Sequence, residues 1–154
     1  MLVVAVHPQP QLLATGTVAP PIVLTSAAGQ QVNALEAATA HRLVIEFFDV
    51  ECETCQRQAA ELCGIAARHP ADVFVAVDAA RESATALSAY ARHYHPAPCP
   101  VTLLVDPGLK VTRAYRAAVV PTVYVVDARG TIAYGAVGPA GIDGAEPALR
   151  RLGG

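Results

Sequence analysis

The sequence predicts an α/β fold, a central mixed β-sheet with helices on both faces. Three observations predict it. Runs rich in Val, Ile, Leu and Phe at 42–50, 72–78 and 100–106 are nearly continuous in apolar residues, the pattern of strands covered on both sides. Helical patterns separate these runs, giving a βαβα order followed by a strand, a short helix, a hairpin and a last helix. The hairpin at 121–138 is antiparallel by construction, so the sheet must be mixed.

Element by element, residues 1–15 are expected as an extended N-terminal segment of a single domain spanning 1–154, a length sufficient for a full core. A short strand follows at Ile22 to Leu24, a turn near Gly29, and a second extended piece around Gln31 and Val32. "RLVIEFFDV" (42–50) is the central strand. Residues 53 to about 69 read as a helix, with Ala59, Leu62, Cys63 and Ala66 at i, i+3, i+4 and i+7 forming one apolar stripe. "DVFVAVD" (72–78) is a strand, 82–94 a helix and "PVTLLVD" (100–106) a strand. "GLKVTRAYRA" is a short helical stretch. The hairpin turns at Ala128 to Gly130, and "GAEPALRRLGG" closes the chain as a helix.

Composition excludes several classes. Apolar residues make up 53% and charged residues 16%, which is a folding composition rather than a disordered one. With no Trp and three Phe, the core must be built mainly from Val, Leu, Ile and Ala. The 11 Lys and Arg are dispersed and the net charge is −2, so there is no electrostatic footprint for nucleic acid. The only apolar run near the start, Leu2 to Val6, stops at His7 and Pro8, far short of the about 20 residues a membrane span needs. No positively charged start of a secretory signal precedes it. The compartment stays open: extracytoplasmic if a signal or anchor has been removed, otherwise cytoplasmic. A monomer is the default expectation, since no long coiled or exposed apolar segment appears.

The chemistry concentrates in "FFDVECETCQRQ" (47–58). Cys52 and Cys55 follow the central strand and sit at the head of a helix. Cys55 is four residues before Ala59, hence at the top of the buried stripe, whereas Cys52 falls at the first turn, where unpaired backbone N–H groups point outward. One thiol is therefore expected exposed and the other tucked beneath. A C-x-x-C in a chain with βαβ patterning points to redox chemistry. A closed zinc site needs four ligands, and the remaining Cys63 and Cys99 form no second C-x-x-C.

With these residues in view, the chain resembles the thioredoxin-like superfamily, and within it the bacterial TlpA/ResA-like thiol–disulfide oxidoreductases. The resemblance covers roughly residues 16 to 150 and rests on "GTVAPPIVL" with "GQQV" as an N-terminal hairpin, "LVIEFFDVECETC", "VVPTVYVVDARGTI" and "GAVG". It implies a thioredoxin-like fold in which Cys52 is the nucleophile and Cys55 the resolving cysteine. It further implies that Pro121 is the loop proline that is usually cis, with Val120 before it offering its N–H and C=O to an extended substrate. Glu46 falls where thioredoxins carry a buried carboxylate and is the expected catalytic base for Cys55, since burial in apolar surroundings raises a carboxylate's pKa. Phe48 falls where many members have an aromatic ring, and Phe48 and Glu51 join Val120 and Pro121 as the expected substrate-binding residues. Three positions depart from the pattern: Glu51 stands in place of the usual Trp, Glu53-Thr54 lies between the cysteines, and "VFVAVD" lacks the Lys that thioredoxins place near the buried acid.

The implied activity is reduction of protein disulfides with no cofactor beyond the Cys52–Cys55 pair and no metal. Its partners are a substrate protein with a disulfide and an upstream thiol reductant. Glu51 and Glu53 disfavour the Cys52 thiolate through like charge, although exposed charges act weakly across water. A potential nearer thioredoxin (about −270 mV) than DsbA (about −120 mV) is expected. Two alternatives are weaker. A peroxiredoxin-type peroxidase carries a Pro and a Thr shortly before its reactive cysteine, and "FFDVEC" has neither. A copper-delivery protein of this fold usually spaces its cysteines C-x-x-x-C. Cys63, on the buried stripe, reads as core packing. Cys99 is open among an inert buried thiol, a third redox partner and a partner of Cys63, with the inert thiol preferred. His93 and His95 flank a helix end and are expected to meet its last carbonyls.

Overall fold

The structure, a computed structural model, describes residues 11–153. Most of the expected N-terminal segment, including Leu2 to Val6, lies outside the described residues.

The chain opens with an antiparallel hairpin of β1 (Val23–Ser26) and β2 (Gln31–Asn33), joined by a turn in which Gly29 takes a φ of +89°. A helical turn, α1 (Ala34–Ala37), follows, capped by the Asn33 side chain accepting from the Glu36 N–H at 3.2 Å. The central strand β3 (Leu43–Phe48) is buried along its whole length. Then come α2 (Glu53–Arg68), β4 (Val73–Asp78), α3 (Ala84–Tyr94), β5 (Thr102–Val105), α4 (Lys110–Ala114), β6 (Thr122–Val126), β7 (Ile132–Val137) and α5 (Pro139–Arg151).

Among the described residues seven strands make one mixed sheet in the order β2-β1-β5-β4-β3-β6-β7. β3, β4 and β5 are parallel, while β1 joins β5 and β6 joins β3 antiparallel. Strand alternation divides the core into two layers. Val44 and Phe48 of β3, with Val123 and Val125 of β6, pack under α2, α3 and α5. Leu43, Ile45 and Phe47, with Tyr124 and Val126, pack on the opposite face with Ala34 of α1 and Val111 of α4. This is the α/β sheet with helices on both faces that the sequence predicts.

Two elements differ from the sequence expectation. α1 was not anticipated, although Asn33 and Glu36 make an N-cap signature. α5 begins at Pro139, five residues ahead of the expected start. Gly141, Gly144 and Pro147 inside it are poor helix formers, but Pro139 suits the first helical position and tertiary packing carries the rest. Gly141 is needed there: a Cβ would sit 2.9 Å from Val123 Cγ2, so the helix rests directly on β6.

Candidate active site at the head of α2

Phe48 ends β3, and the chain turns over Asp49 to Glu51 before entering α2. The Asp49 carbonyl accepts from the Cys52 N–H at 3.0 Å, and its carboxylate accepts from the Glu51 N–H at 3.0 Å. The Gln56 side chain donates to the Val50 carbonyl at 2.7 Å, fastening this turn to the helix it precedes.

Cys52 is the N-cap of α2, one position before the helical turn in which the sequence placed it. Its Sγ accepts the Cys55 N–H at 3.1 Å, so a backbone donor of the helix N-terminus points directly at the sulfur. Cys52 is half-buried and Cys55 fully buried, the expected division between the two thiols. They are joined in a disulfide, with Cα atoms 5.2 Å apart.

Glu46 lies in the middle of β3, opposite Ala76 of β4 and Val123 of β6. Alternation puts it on the face of Val44 and Phe48, the layer into which Cys55 packs. It is 2% exposed, and among the described residues its Oε2 has no hydrogen-bond partner. Burial without a cation pushes its pKa up to about 8.

Val120 and Pro121 immediately precede β6, beside β3, where Thr122 is registered with Phe47. Because β6 runs antiparallel to β3 with Thr122 opposite Phe47, the proline loop and the cysteine turn lie at the same end of the sheet, and Val120, Val50 and Cys52 all pack against the same hydrophobic layer. The Val120–Pro121 peptide is cis. The Pro121 carbonyl accepts from Gly138, while among the described residues the N–H and C=O of Val120 bond to nothing.

Glu51 is exposed beside Cys52. Phe48 requires a correction: it is fully buried, its ring 5.0 Å from that of Tyr90, so it supports the site from below and offers no surface to a substrate.

Two further expectations are overturned. Cys63 and Cys99 are not separate inert thiols; they form a second disulfide, with Cα atoms 4.6 Å apart, tying the middle of α2 to the segment before β5. Nor does the His95 ring meet helix carbonyls. Its backbone N–H bonds to the Ala91 carbonyl, and the ring turns inward towards the second disulfide. The even number of cysteines was the one available signal for this pairing.

The sequence profile of the AhpC/TSA family matches residues 15–135. The chain belongs to the AhpC/TSA family. Solved structures similar to this family member include a candidate thiol:disulfide interchange protein DsbE from Chlorobium tepidum. That protein is 24% identical with a TM-score of 0.79, over 92% of this chain and 99% of that one. A secreted Mycobacterium tuberculosis disulfide oxidoreductase homologous to Escherichia coli DsbE is 20% identical with a TM-score of 0.72, over 84% and 95%. StoA from Bacillus subtilis is 12% identical with a TM-score of 0.68, over 86% and 98%. At these identities the likeness establishes the fold alone, which is thioredoxin-like. No curated protein matches the sequence.

Proposed function

We propose that this AhpC/TSA-family protein reduces disulfides in other proteins through Cys52 and Cys55. The observation that carries the reading is the paired but unequal setting of the two sulfurs. One is half-exposed and held by a helix N-terminal N–H; the other is buried in the layer that also holds an unpaired carboxyl group.

In the reduced protein the Cys52 thiolate, favoured by the Cys55 N–H and the helix dipole, attacks a substrate disulfide. A Cys52–substrate disulfide forms and one substrate sulfur leaves as a thiol. Cys55 then loses its proton and attacks Cys52 Sγ, which closes the Cys52–Cys55 bond and releases the second substrate thiol. Glu46 is the proton acceptor for Cys55: with its pKa raised to about 8 it is mostly protonated at neutral pH, and its ionised fraction, which grows as pH rises, is a base strong enough to take the thiol proton. The free N–H and C=O of Val120, next to Pro121, bind the substrate backbone as an extended strand. Glu51, exposed at the rim, meets the substrate surface. An upstream dithiol restores the reduced pair, so the two sulfurs carry both electrons and no other cofactor enters.

The test is a single turnover of reduced protein with a protein substrate carrying one disulfide. Wild type is expected to open it and end as Cys52–Cys55 disulfide. Cys55→Ser is expected to accumulate a mixed disulfide at Cys52, seen by mass, and Cys52→Ser to do neither. Trapping at Cys99, or oxidation by hydrogen peroxide but not by the disulfide, would replace this reading, the latter with the peroxidase.

A further inference from the structure

The Cys63–Cys99 disulfide lies away from the proposed site. Cys55 and Cys63 are eight residues apart on α2, about 12 Å along the axis. Direct exchange between the two pairs within one molecule would therefore need a large rearrangement.

Its surroundings are unusual for a structural bond. Cys63 is 2% exposed, whereas Cys99 is half-buried, so Cys99 is the more approachable residue of the pair for an attacking thiolate. A ring nitrogen of His95 and both sulfurs all lie within 4.8 Å of one another. The imidazole packs edge-on against Tyr90, with centroids 5.6 Å apart, and among the described residues its Nε2 is buried with no hydrogen-bond partner. A disulfide is a poor partner for a buried imidazole. A thiol can donate to the ring and a thiolate can accept from it, so the imidazole beside the sulfurs can hydrogen-bond to the pair only when it is reduced. Burial also lowers the His95 pKa, keeping the ring neutral and able both to give and to take a hydrogen bond. Three donors fall one short of a closed zinc site, and bonded sulfurs offer no thiolate, so electron exchange fits this cluster better than metal binding.

We propose that Cys63–Cys99 is a second exchangeable dithiol–disulfide couple, with His95 as the residue that stabilises its reduced form. The reductant is an external dithiol. Its thiolate attacks the Sγ of Cys99, the more exposed residue of the two; the Cys63–Cys99 bond breaks and Cys63 leaves as a thiolate beside His95, taking its proton from solvent through the ring. The second thiol of the reductant then attacks the mixed disulfide, freeing Cys99. Two electrons and two protons pass to the cysteines, and the reductant ends as a disulfide. Reduction unties α2 from the segment that leads into β5.

The test removes the first couple so that the two readings fail separately. Cys52→Ser/Cys55→Ser protein is equilibrated in dithiothreitol redox buffers, quenched with an alkylating reagent and mapped by mass. Cys63 and Cys99 are expected to appear together as one two-electron step while the protein stays folded. Adding His95→Phe is expected to lower the equilibrium constant for reduction about tenfold, or about 30 mV for a two-electron couple. A pair that opens only on unfolding, or an unchanged constant in the His95→Phe protein, overturns the proposal. A second readout needs no His95 variant: the imidazole 15N shifts of His95 are expected to move on reduction, and identical shifts in both states overturn it equally.

Discussion

Two glutamates on the same face of the sheet, one in a strand and one in a helix above it, have opposite fates. Glu146 of α5 accepts hydrogen bonds from Arg68 at 2.9 Å, from Arg150 at 3.2 Å and from His69 at 2.9 Å, fastening α5 to the C-terminal end of α2. The Arg68 hydrogen bond holds its pKa down at about 2. Glu46, in the strand, has no cation, and burial alone raises its pKa to about 8. The same side chain thus becomes a clamp where arginines surround it and a proton reservoir where they do not. Arg42 and Asp72, 2.7 Å apart, repeat the clamp at the far end of β3 from the cysteines, where Arg42 also donates to the Leu149 carbonyl at 2.6 Å. The ion pairs hold the helices at one end of the sheet and leave the carboxyl group at the other end free to exchange its proton.

The largest expected effect comes from removing the thiol that Glu46 is proposed to serve. Cys55→Ser should lose turnover entirely while still forming a mixed disulfide at Cys52, checked by intact mass. Glu46→Gln is expected next, slowing resolution about 100-fold, the low end of general-base contributions, with little effect on the first attack. Single-turnover kinetics separate the two steps.

The same variant sharpens the comparison through stability. The folded pKa of Glu46 is raised from 4.5 to about 8, so its contribution is fully present below pH 4.5 and is lost as pH rises through about 8. Wild type should therefore lose several kcal/mol between those limits, at roughly 1.4 kcal/mol per pH unit at most, and Glu46→Gln should lack that slope in denaturant melts. Glu146 has the opposite sign. Its depressed pKa contributes stability present above pH 4.5 and lost as pH falls through about 2. Arg68 is more than half exposed, so solvent screens the pair, and Glu146→Gln should cost only about 1 kcal/mol at neutral pH, narrowing to nothing in acid. The smallest effect belongs to Glu51→Gln. Removing an exposed like charge beside Cys52 should speed alkylation of the reduced Cys52 slightly at low salt and less at high salt, followed as alkylation rate in the two buffers.

Much of this comparison was legible in the sequence. Apolar runs located the buried strands, because a doubly covered strand leaves few polar positions, and Glu46 stood out as a charge at the centre of such a run. The apolar stripe of α2 separated a sheltered Cys55 from an accessible Cys52 for the same reason. What stayed hidden depends on contacts between distant segments. The Cys63–Cys99 bond spans 36 residues and is set by how the segment before β5 folds back onto α2, which no periodicity records. The turn of His95 inward, the Glu146 cluster that joins α2 to α5, and the burial of Phe48 under Tyr90 are likewise products of packing. The first turn of α5 is not legible because Gly141 is a poor helix former, whereas close approach of Gly141 to β6 and of Gly144 to β7 requires small residues there.

The measurement that tests the central claim most directly is the resolution of a preformed Cys52 mixed disulfide, followed by release of the leaving thiol from roughly pH 5 to pH 10, in wild type and Glu46→Gln. The account predicts a wild-type rate that rises through a titration near pH 8 and a slower Glu46→Gln rate without it. Superimposable profiles would contradict it and leave Glu46 a buried carboxyl group with no part in the exchange.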